Sequence, residues 1–392
     1  MSVMAKGSYP LLEGLDIATV STPAYILDLG ALRRNLELLT DVKQRTGCRI
    51  LLAQKVFAMF SVYPMLRWYL DGVSASSPYE ARLGHEEMGG EIHASAPAYS
   101  EADVDALLPL CNTIVFNSFA QWERFRPRLA AAAKPPSPGL RVNPEYSEID
   151  KEVFNPGAQG SRLGIRSREL DRKSLDGIEG LYFHVAFEQN AGTLERVLKT
   201  AQEKFGPFFD RMKWLNFGSG HQLTGAEYDV ERFCRVLAGF RQHYPGLTLY
   251  LEPGEAVVLD AGVLVATVLD VVQADMPVVI LDVSAEAHMP DVLEMPYRPA
   301  VARADLPRRK PWTCRLAGHS SHPNDVMGEY SFDAPLQVGD RLEFLDMAHH
   351  TMVKNNHFSG LRLPSITTWD PTLKNLRVVR TFDYEDYKTR LS

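Results

Sequence analysis

Eight short runs of apolar and β-branched residues, each ending on small or polar side chains, constrain this chain more than any other feature. They are RILLAQK (49–55), GVSASS (72–77), EIHASAP (91–97), TIVFNS (113–118), GLRVNP (139–144), GLYFHVA (180–186), KWLNFGSG (213–220) and LTLYLEPG (247–254). Runs that are apolar on both faces suit a parallel sheet covered on both sides. Between most of them stand charged segments with helical spacing, among them EADVDALLPLC, FAQWERFRPRLAAAA, NAGTLERVLKTAQEKFG and AEYDVERFCRVLAGFRQHY. Strand followed by helix, repeated in this way, predicts an α/β fold: a (β/α)₈ TIM-like barrel with its functional site where the strands end. That rule nominates Lys55, Ser76, Ser77, Asn117, Asn143, His184, Gly218, Gly220 and Glu252.

After about residue 265 the rhythm changes to β-like pieces separated by turn signals: GVLVATVLDVV, PVVILDVSA, SFDAPLQVGDRLEFLDM and LRVVRTFDY. The expected division is a barrel over 23–265, entered at Thr22-Pro23, and a mostly β domain over 266–392 that residues 1–22 are free to join. A chain of 392 residues is long enough for both. Its net charge of −7, without a long Lys/Arg run, argues against a nucleic-acid partner, whose backbone is bound by clustered cations. No stretch reaches the roughly 18 apolar residues of a membrane span, and the N-terminus carries no apolar signal core. Cys48, Cys111, Cys234 and Cys314 are scattered with no CxxC, so the simplest expectation is a reducing, cytoplasmic location.

Several strand-end residues have a chemical and a plain reading side by side. Lys55 is either a solvated lysine or a partly desolvated amine freed for covalent chemistry with a carbonyl. Gly218-Ser219-Gly220 is either a tight turn or a backbone cradle for a phosphate, as barrels often build after strands seven and eight. Glu252 is a turn carboxylate or the partner of a protonated ring nitrogen. His184 is a satisfied core histidine or a ring that stacks on a flat cofactor. His319, His322, His349, His350 and His357 are dense enough to raise a metal site, but their spacing lacks the i, i+4 pattern of helical zinc motifs, and no metal is expected.

Longer stretches carry a resemblance. SSPYEARLGHEEMGGEIHASAPAY (76–99), SRLGI (161–165), HMPDVLEMPYRP (288–299), DVMGEYSFDAPLQVGDRLEF (325–344) and MAHHTMVKN (347–355) resemble the fold-type III pyridoxal phosphate (PLP) decarboxylases, and within them the carboxynorspermidine/carboxyspermidine decarboxylases. The resemblance runs from TPAYILD (22–28) to FSGLRLPSI (358–366). It implies an alanine racemase-like barrel plus a C-terminal mostly β domain, and decarboxylation of an amino acid with a cationic, polyamine-like side chain in polyamine biosynthesis. It implies PLP held by Lys55 as the Schiff-base lysine, with His184 stacked on the ring, Glu252 at the pyridinium nitrogen and Gly218, Ser219 and Gly220 at the phosphate. It also implies a homodimer with shared active sites. Asp325, Asp291 and Glu294 are then candidates for the substrate's distal ammonium groups, each with a solvated or salt-bridged alternative, and Arg298 is set with them as a substrate contact.

Three departures accompany the resemblance. Ser219 replaces the middle glycine of the phosphate loop, tolerable if its φ stays negative. Ser321 stands where the related decarboxylases have a cysteine associated with returning a proton after CO₂ loss, and a hydroxyl is a much weaker acid than a thiol. His350 stands where they have a tyrosine near the PLP phosphate. Ser321 is therefore expected among the catalytic residues and His350 among the cofactor contacts. The alternatives are diversion to decarboxylation-dependent transamination or oxidation, a different amino-acid substrate, or a PLP-binding protein without turnover.

Overall fold

The structure, a computed structural model, describes residues 11–149, 155–170, 173–184 and 190–392. Its contacts separate two units: Asn35–Val257, and Met1–Arg34 together with Val258–Ser392.

The first unit is a barrel. Its strands are β1 (Arg49–Ala53), β2 (Gly72–Ala75), β3 (Glu91–Ser95), β4 (Thr113–Phe116), β5 (Ser137–Asn143), β6 (Gly180–Phe183), β7 (Trp214–Asn216) and β8 (Thr248–Leu251). Each of the eight expected runs supplies one; Val185 and Ala186, at the end of the sixth run, lie outside the described residues. Neighbours pair in parallel, β1 to β2 to β3 to β4 to β5 to β6 to β7 to β8, and Tyr250 opposite Arg49 returns β8 to β1. Closure leaves this ring no free edge. The helices Phe119–Ala131, Ala191–Phe209 and Val230–His243 start on side-chain caps, from Ser118, Asn190 and Asp229 respectively, that accept from otherwise unpaired first-turn N–H groups. Leu194, Val197, Leu198, Ala201, Phe205 and Phe209 form the buried face of the second of these, at the three-and-four spacing of an amphipathic helix.

Leu51, Val115, Tyr182, Trp214 and Tyr250 fill the barrel interior. Trp214 fits because β6 begins with a glycine: a Cβ on Gly180 would lie 2.0 Å from the indole Cδ2. Towards the strand starts, His93 is buried against the Tyr250 ring at 4.6 Å, with Nε2 3.1 Å from Glu91.

The second unit is an eight-stranded sheet in the order Val326–Phe332, Trp312–Ala317, Pro277–Leu281, Gly262–Gln273, Ala24–Asp28, Ser365–Asp370, Asn375–Arg380, with Arg341–Leu345 also paired to Gly262–Gln273. Here the structure departs from the expected boundaries of 23–265 and 266–392. Ala24–Asp28 is not a barrel strand; it runs antiparallel to Gly262–Val265 and parallel to Ser365–Trp369. The barrel unit ends at Val257, so the strand beginning at Gly262 is a sheet strand throughout. The physical reason is burial on both faces. Tyr25 and Leu264 belong to one apolar cluster, and Ala24, Ile26, Val263 and Val265 to another with Leu12, Val20 and Trp369. Of the segment expected to join the β domain, residues 1–10 lie outside the described residues, and the rest meets this sheet: Leu12 N donates to Asp28 at 2.9 Å, and Trp369 Nε1 to the Glu13 carbonyl at 3.2 Å.

Candidate active site

Parallel strands bring their C-terminal ends to one mouth of the barrel, and the chain places there Lys55, two residues past β1, His184, next after β6, Gly218, two past β7, and Glu252, next after β8. Glu252 is 2% exposed. Both of its oxygens are held: Asn216 Nδ2 donates to Oε1 at 2.8 Å, and the Tyr182 hydroxyl to Oε2 at 2.9 Å. Two such bonds offset much of the cost of burying a carboxylate.

The Lys55 side chain is open to solvent in the barrel mouth, yet the walls around it shed enough water to lower its pKa; Arg141 lowers it further, while Glu252 and Glu80 oppose the shift. A lysine in this setting is easier to deprotonate and is a better nucleophile.

His184 is half-buried, and its Nδ1 is 2.9 Å from the Tyr182 hydroxyl. Burial, then the Lys55 and Arg141 cations, hold its pKa well below the usual histidine range. The ring lies against Gly218, where φ is +66° and a Cβ would stand 2.6 Å from Nδ1. Gly220 is also left-handed, at +104°, whereas Ser219 is not among the positive-φ residues. The middle position of the loop therefore tolerates a side chain, and the Ser219 hydroxyl faces His184 Nε2 at 3.5 Å.

Other strand-end candidates have structural duties. Ser77 caps the helix Pro78–Leu83 by accepting from Glu80 N, and Ser76 N donates to the Glu80 carboxylate at 2.5 Å. Asn117 donates to Arg162 O and accepts from Gly164 N, both at 2.8 Å. Asn143 donates to Pro156 O at 3.0 Å and Leu163 O at 3.1 Å. These two asparagines hold the segment containing SRLGI to the strand ends. Sequence reasoning missed Arg141, Tyr182, Asn216 and Glu80. Three of them carried a signal: Arg141, Tyr182 and Asn216 each stand two residues before Asn143, His184 and Gly218, so strand alternation turns them to the same side. The Arg141 guanidinium lies 5.7 Å from the centre of the Tyr182 ring and donates to the His184 carbonyl at 3.3 Å.

The remaining candidates belong to the sheet unit. Ser321 is exposed in the turn between Trp312–Ala317 and Val326–Phe332. Asp325 closes that turn, accepting from Ala285 N at 2.6 Å and Ser320 N at 3.0 Å. Asp291 accepts from Tyr297 at 2.8 Å and Thr351 at 3.0 Å; its Oδ1 is buried with no partner among the described residues. Glu294 pairs with Lys354. Arg298 lies 4.8 Å from the Tyr330 ring centre and donates to Glu329 O at 3.1 Å. His350 precedes the turn of helix Thr351–Lys354 at φ +36°, with Nδ1 3.3 Å from that of His349. His349 contacts Asp346, His322 contacts Glu286, and His357 the Leu361 carbonyl. Among the described residues no group of three or more His, Cys, Asp or Glu side chains is arranged to hold a metal ion.

A buried carboxylate, a histidine ring at its side, an amine of lowered pKa and a glycine-rich turn together fit an anionic, nitrogen-heterocyclic aldehyde of the PLP kind. Gly218 and Gly220 are both left-handed; Gly218 N donates to Asn216 Oδ1 at 2.8 Å, which fixes the turn, and no side chain at Gly218 stands against His184.

Comparison with known proteins agrees with that fit. Residues 24–348 match the family described as pyridoxal-dependent decarboxylase, C-terminal sheet domain. The chain is 42% identical over 383 residues to the carboxynorspermidine/carboxyspermidine decarboxylase of Campylobacter jejuni, covering 95% of this chain and 98% of that one. It is 40% identical over 389 residues to the carboxyaminopropylagmatine decarboxylase of Synechocystis, covering 99% and 100%. The crystal structure of C. jejuni carboxynorspermidine decarboxylase complexed with norspermidine superposes with a TM-score of 0.87 at 40% identity, over 95% of this chain and 100% of that one.

Proposed function

Because this chain belongs to the pyridoxal-dependent decarboxylases, we propose that it removes CO₂ from an amino acid whose side chain is a polyamine or a closely related cation. The named substrates of the relatives share a 3-amino-3-carboxypropyl group on a secondary amine and differ at the far end, amine in one case and guanidine in the other. Decarboxylation turns that group into an aminopropyl group. The observation that carries the proposal is the Lys55, His184, Gly218–Gly220 and Glu252 constellation in a chain at least 40% identical to such enzymes over nearly its full length.

PLP, when bound, supplies the electron sink for the bond pair that CO₂ leaves behind. In this reading Lys55 holds its aldehyde carbon, Gly218, Ser219 and Gly220 its phosphate, with His350 a further contact, and Glu252 its ring nitrogen. His184 covers the ring. Glu252, oriented by donors from Asn216 and Tyr182, would hold a proton on that nitrogen. The lowered pKa of Lys55 favours its free amine, the form that would bond to the aldehyde carbon.

Asp291, Glu294 and Asp325 of the sheet unit are the proposed partners for the substrate's cationic end, with Arg298 a further substrate contact; Asp291 already accepts from Tyr297 and Thr351. Glu294 would have to exchange Lys354 for substrate, while Asp325 and Arg298 hold the Ser321 turn and the Glu329 strand. A homodimer with shared sites and a cytoplasmic location complete the proposal; four free, buried cysteines suit a reducing compartment.

Incubating the PLP-loaded protein with carboxynorspermidine, carboxyspermidine, carboxyaminopropylagmatine, diaminopimelate, lysine, ornithine and arginine tests it. CO₂ release with a triamine or an aminopropylagmatine product is expected, and turnover of only the short amino acids would overturn the substrate class. A second reading, diversion to an aldehyde with pyridoxamine phosphate, is favoured by Ser321 being exposed while all four thiols are buried. In that case Ser321→Cys shifts the product towards the amine. Amine as sole product of the unaltered protein removes this reading.

A further inference from the structure

Glu252 and His184 stand on different strands, and one side chain joins them. Tyr182, 4% exposed, places its hydroxyl 2.9 Å from Glu252 Oε2 and 2.9 Å from His184 Nδ1. A phenol has one proton to donate and two lone pairs to offer. Burial and the adjacent Glu252 charge push the Tyr182 pKa well above its usual range, so the proton stays on the oxygen. The carboxylate is the stronger acceptor and takes that proton's hydrogen bond. The lone pairs are left to accept, one facing His184 and the other served by the Ser95 hydroxyl.

An accepting phenol oxygen requires the His184 proton to be on Nδ1. With its pKa depressed by burial and by Lys55 and Arg141, the imidazole is neutral and carries one ring proton. Nε2 then presents a lone pair, and the Ser219 hydroxyl lies on that side at 3.5 Å. Gly218 on the ring's flank leaves the histidine room for this orientation.

We propose that Tyr182 is a positioning residue of the reaction: it sets His184 as the Nδ1–H tautomer and couples that choice to the charge of Glu252, in the order His184 Nδ1–H to Tyr182 Oη–H to Glu252 Oε2. The inference rests on the reading of His184 and Glu252 as the groups that face the cofactor. Its consequence is that the ring over the cofactor and the carboxylate at the cofactor's nitrogen act as one unit. A change of charge at Glu252 reverses or releases the bond at His184.

Histidine-selective ¹⁵N spectra, with His184→Gln for assignment, read the tautomer in both the apoprotein and the PLP-loaded protein. Wild type is expected to show a protonated Nδ1 and an unprotonated Nε2 near pH 7.5. Tyr182→Phe keeps the ring and deletes the hydroxyl; His184 should drift to a mixed or Nε2–H state, and kcat should fall about tenfold, the scale of lost orienting partners, with KM within twofold. Glu252→Gln is the second variant and should release the same tautomer choice without touching Tyr182. A purely structural role would lower thermal stability and leave the tautomer alone. An Nε2–H histidine in wild type, or an unchanged tautomer in both variants, overturns the inference. Wild-type protein that binds no PLP defeats the underlying reading instead, so the two failures are distinguishable.

Discussion

At the scale of single residues, the candidate site is an exercise in keeping one carboxylate where water is scarce. Among the described residues Glu252 has one donor per oxygen, and the Asn216 amide serves Oε1 at 2.8 Å from a fully buried position. Asn216→Ala removes that donor and leaves a buried acceptor unsatisfied, at a cost of about 1–3 kcal/mol. Denaturant unfolding should show that loss, and titration with PLP should show weaker binding. A variant with wild-type stability and affinity would mean that water replaces the amide without penalty. Sequence alone could nominate Glu252, because position at the end of an apolar strand is visible in the order of residues. It could not nominate the partner, because Asn216 lies 36 residues earlier and meets Glu252 only through the pairing of neighbouring strands.

At the scale of elements, the strand-end rule located the site but did not sort its members. Lys55, His184, Gly218 and Glu252 surround the barrel mouth, whereas Ser77 caps a helix and Asn117 and Asn143 pin a loop. Each has a polar side chain suited to either task, and only its neighbours decide. The strand Ala24–Asp28 shows the same limit: AYILD is as apolar as a barrel strand, but its partners Gly262–Val265 and Ser365–Trp369 are more than 230 residues away in sequence. The turn after β7 offers the sharpest test of an element. At Gly218, φ is +66° and the missing Cβ leaves His184 its place. Gly218→Ala adds about 1–2 kcal/mol of left-handed strain and displaces the ring, so PLP affinity should fall markedly in an equilibrium titration, more than for Ser219→Ala. Equal affinities for the two variants would contradict a built cradle.

For the whole molecule, buried neutral histidines set the acid limit. Burial pushes His93, in the barrel, down to about 4 despite the opposing Glu252 charge, and His288, in the sheet unit, down to about 3; His184 is also depressed. The unfolded chain therefore binds more protons than the folded one between these values and the ordinary histidine pKa near 6.5. Stability is full above that pKa and falls as pH drops towards the folded-state values. At pH 5 the loss is about 2 kcal/mol for a histidine depressed as far as His93. Calorimetric melting temperatures should decline from pH 7 to pH 5, and His93→Gln should flatten part of the decline. A melting temperature independent of pH over that range would show that these rings charge without cost.

The proposed chemistry depends most on one bond to one lysine. Borohydride reduction of the PLP-loaded protein, followed by peptide mass mapping, tests it directly. The expected result is a phosphopyridoxyl group on the peptide containing Lys55, absent from Lys55→Ala; modification of a different lysine, or of none, would contradict the account.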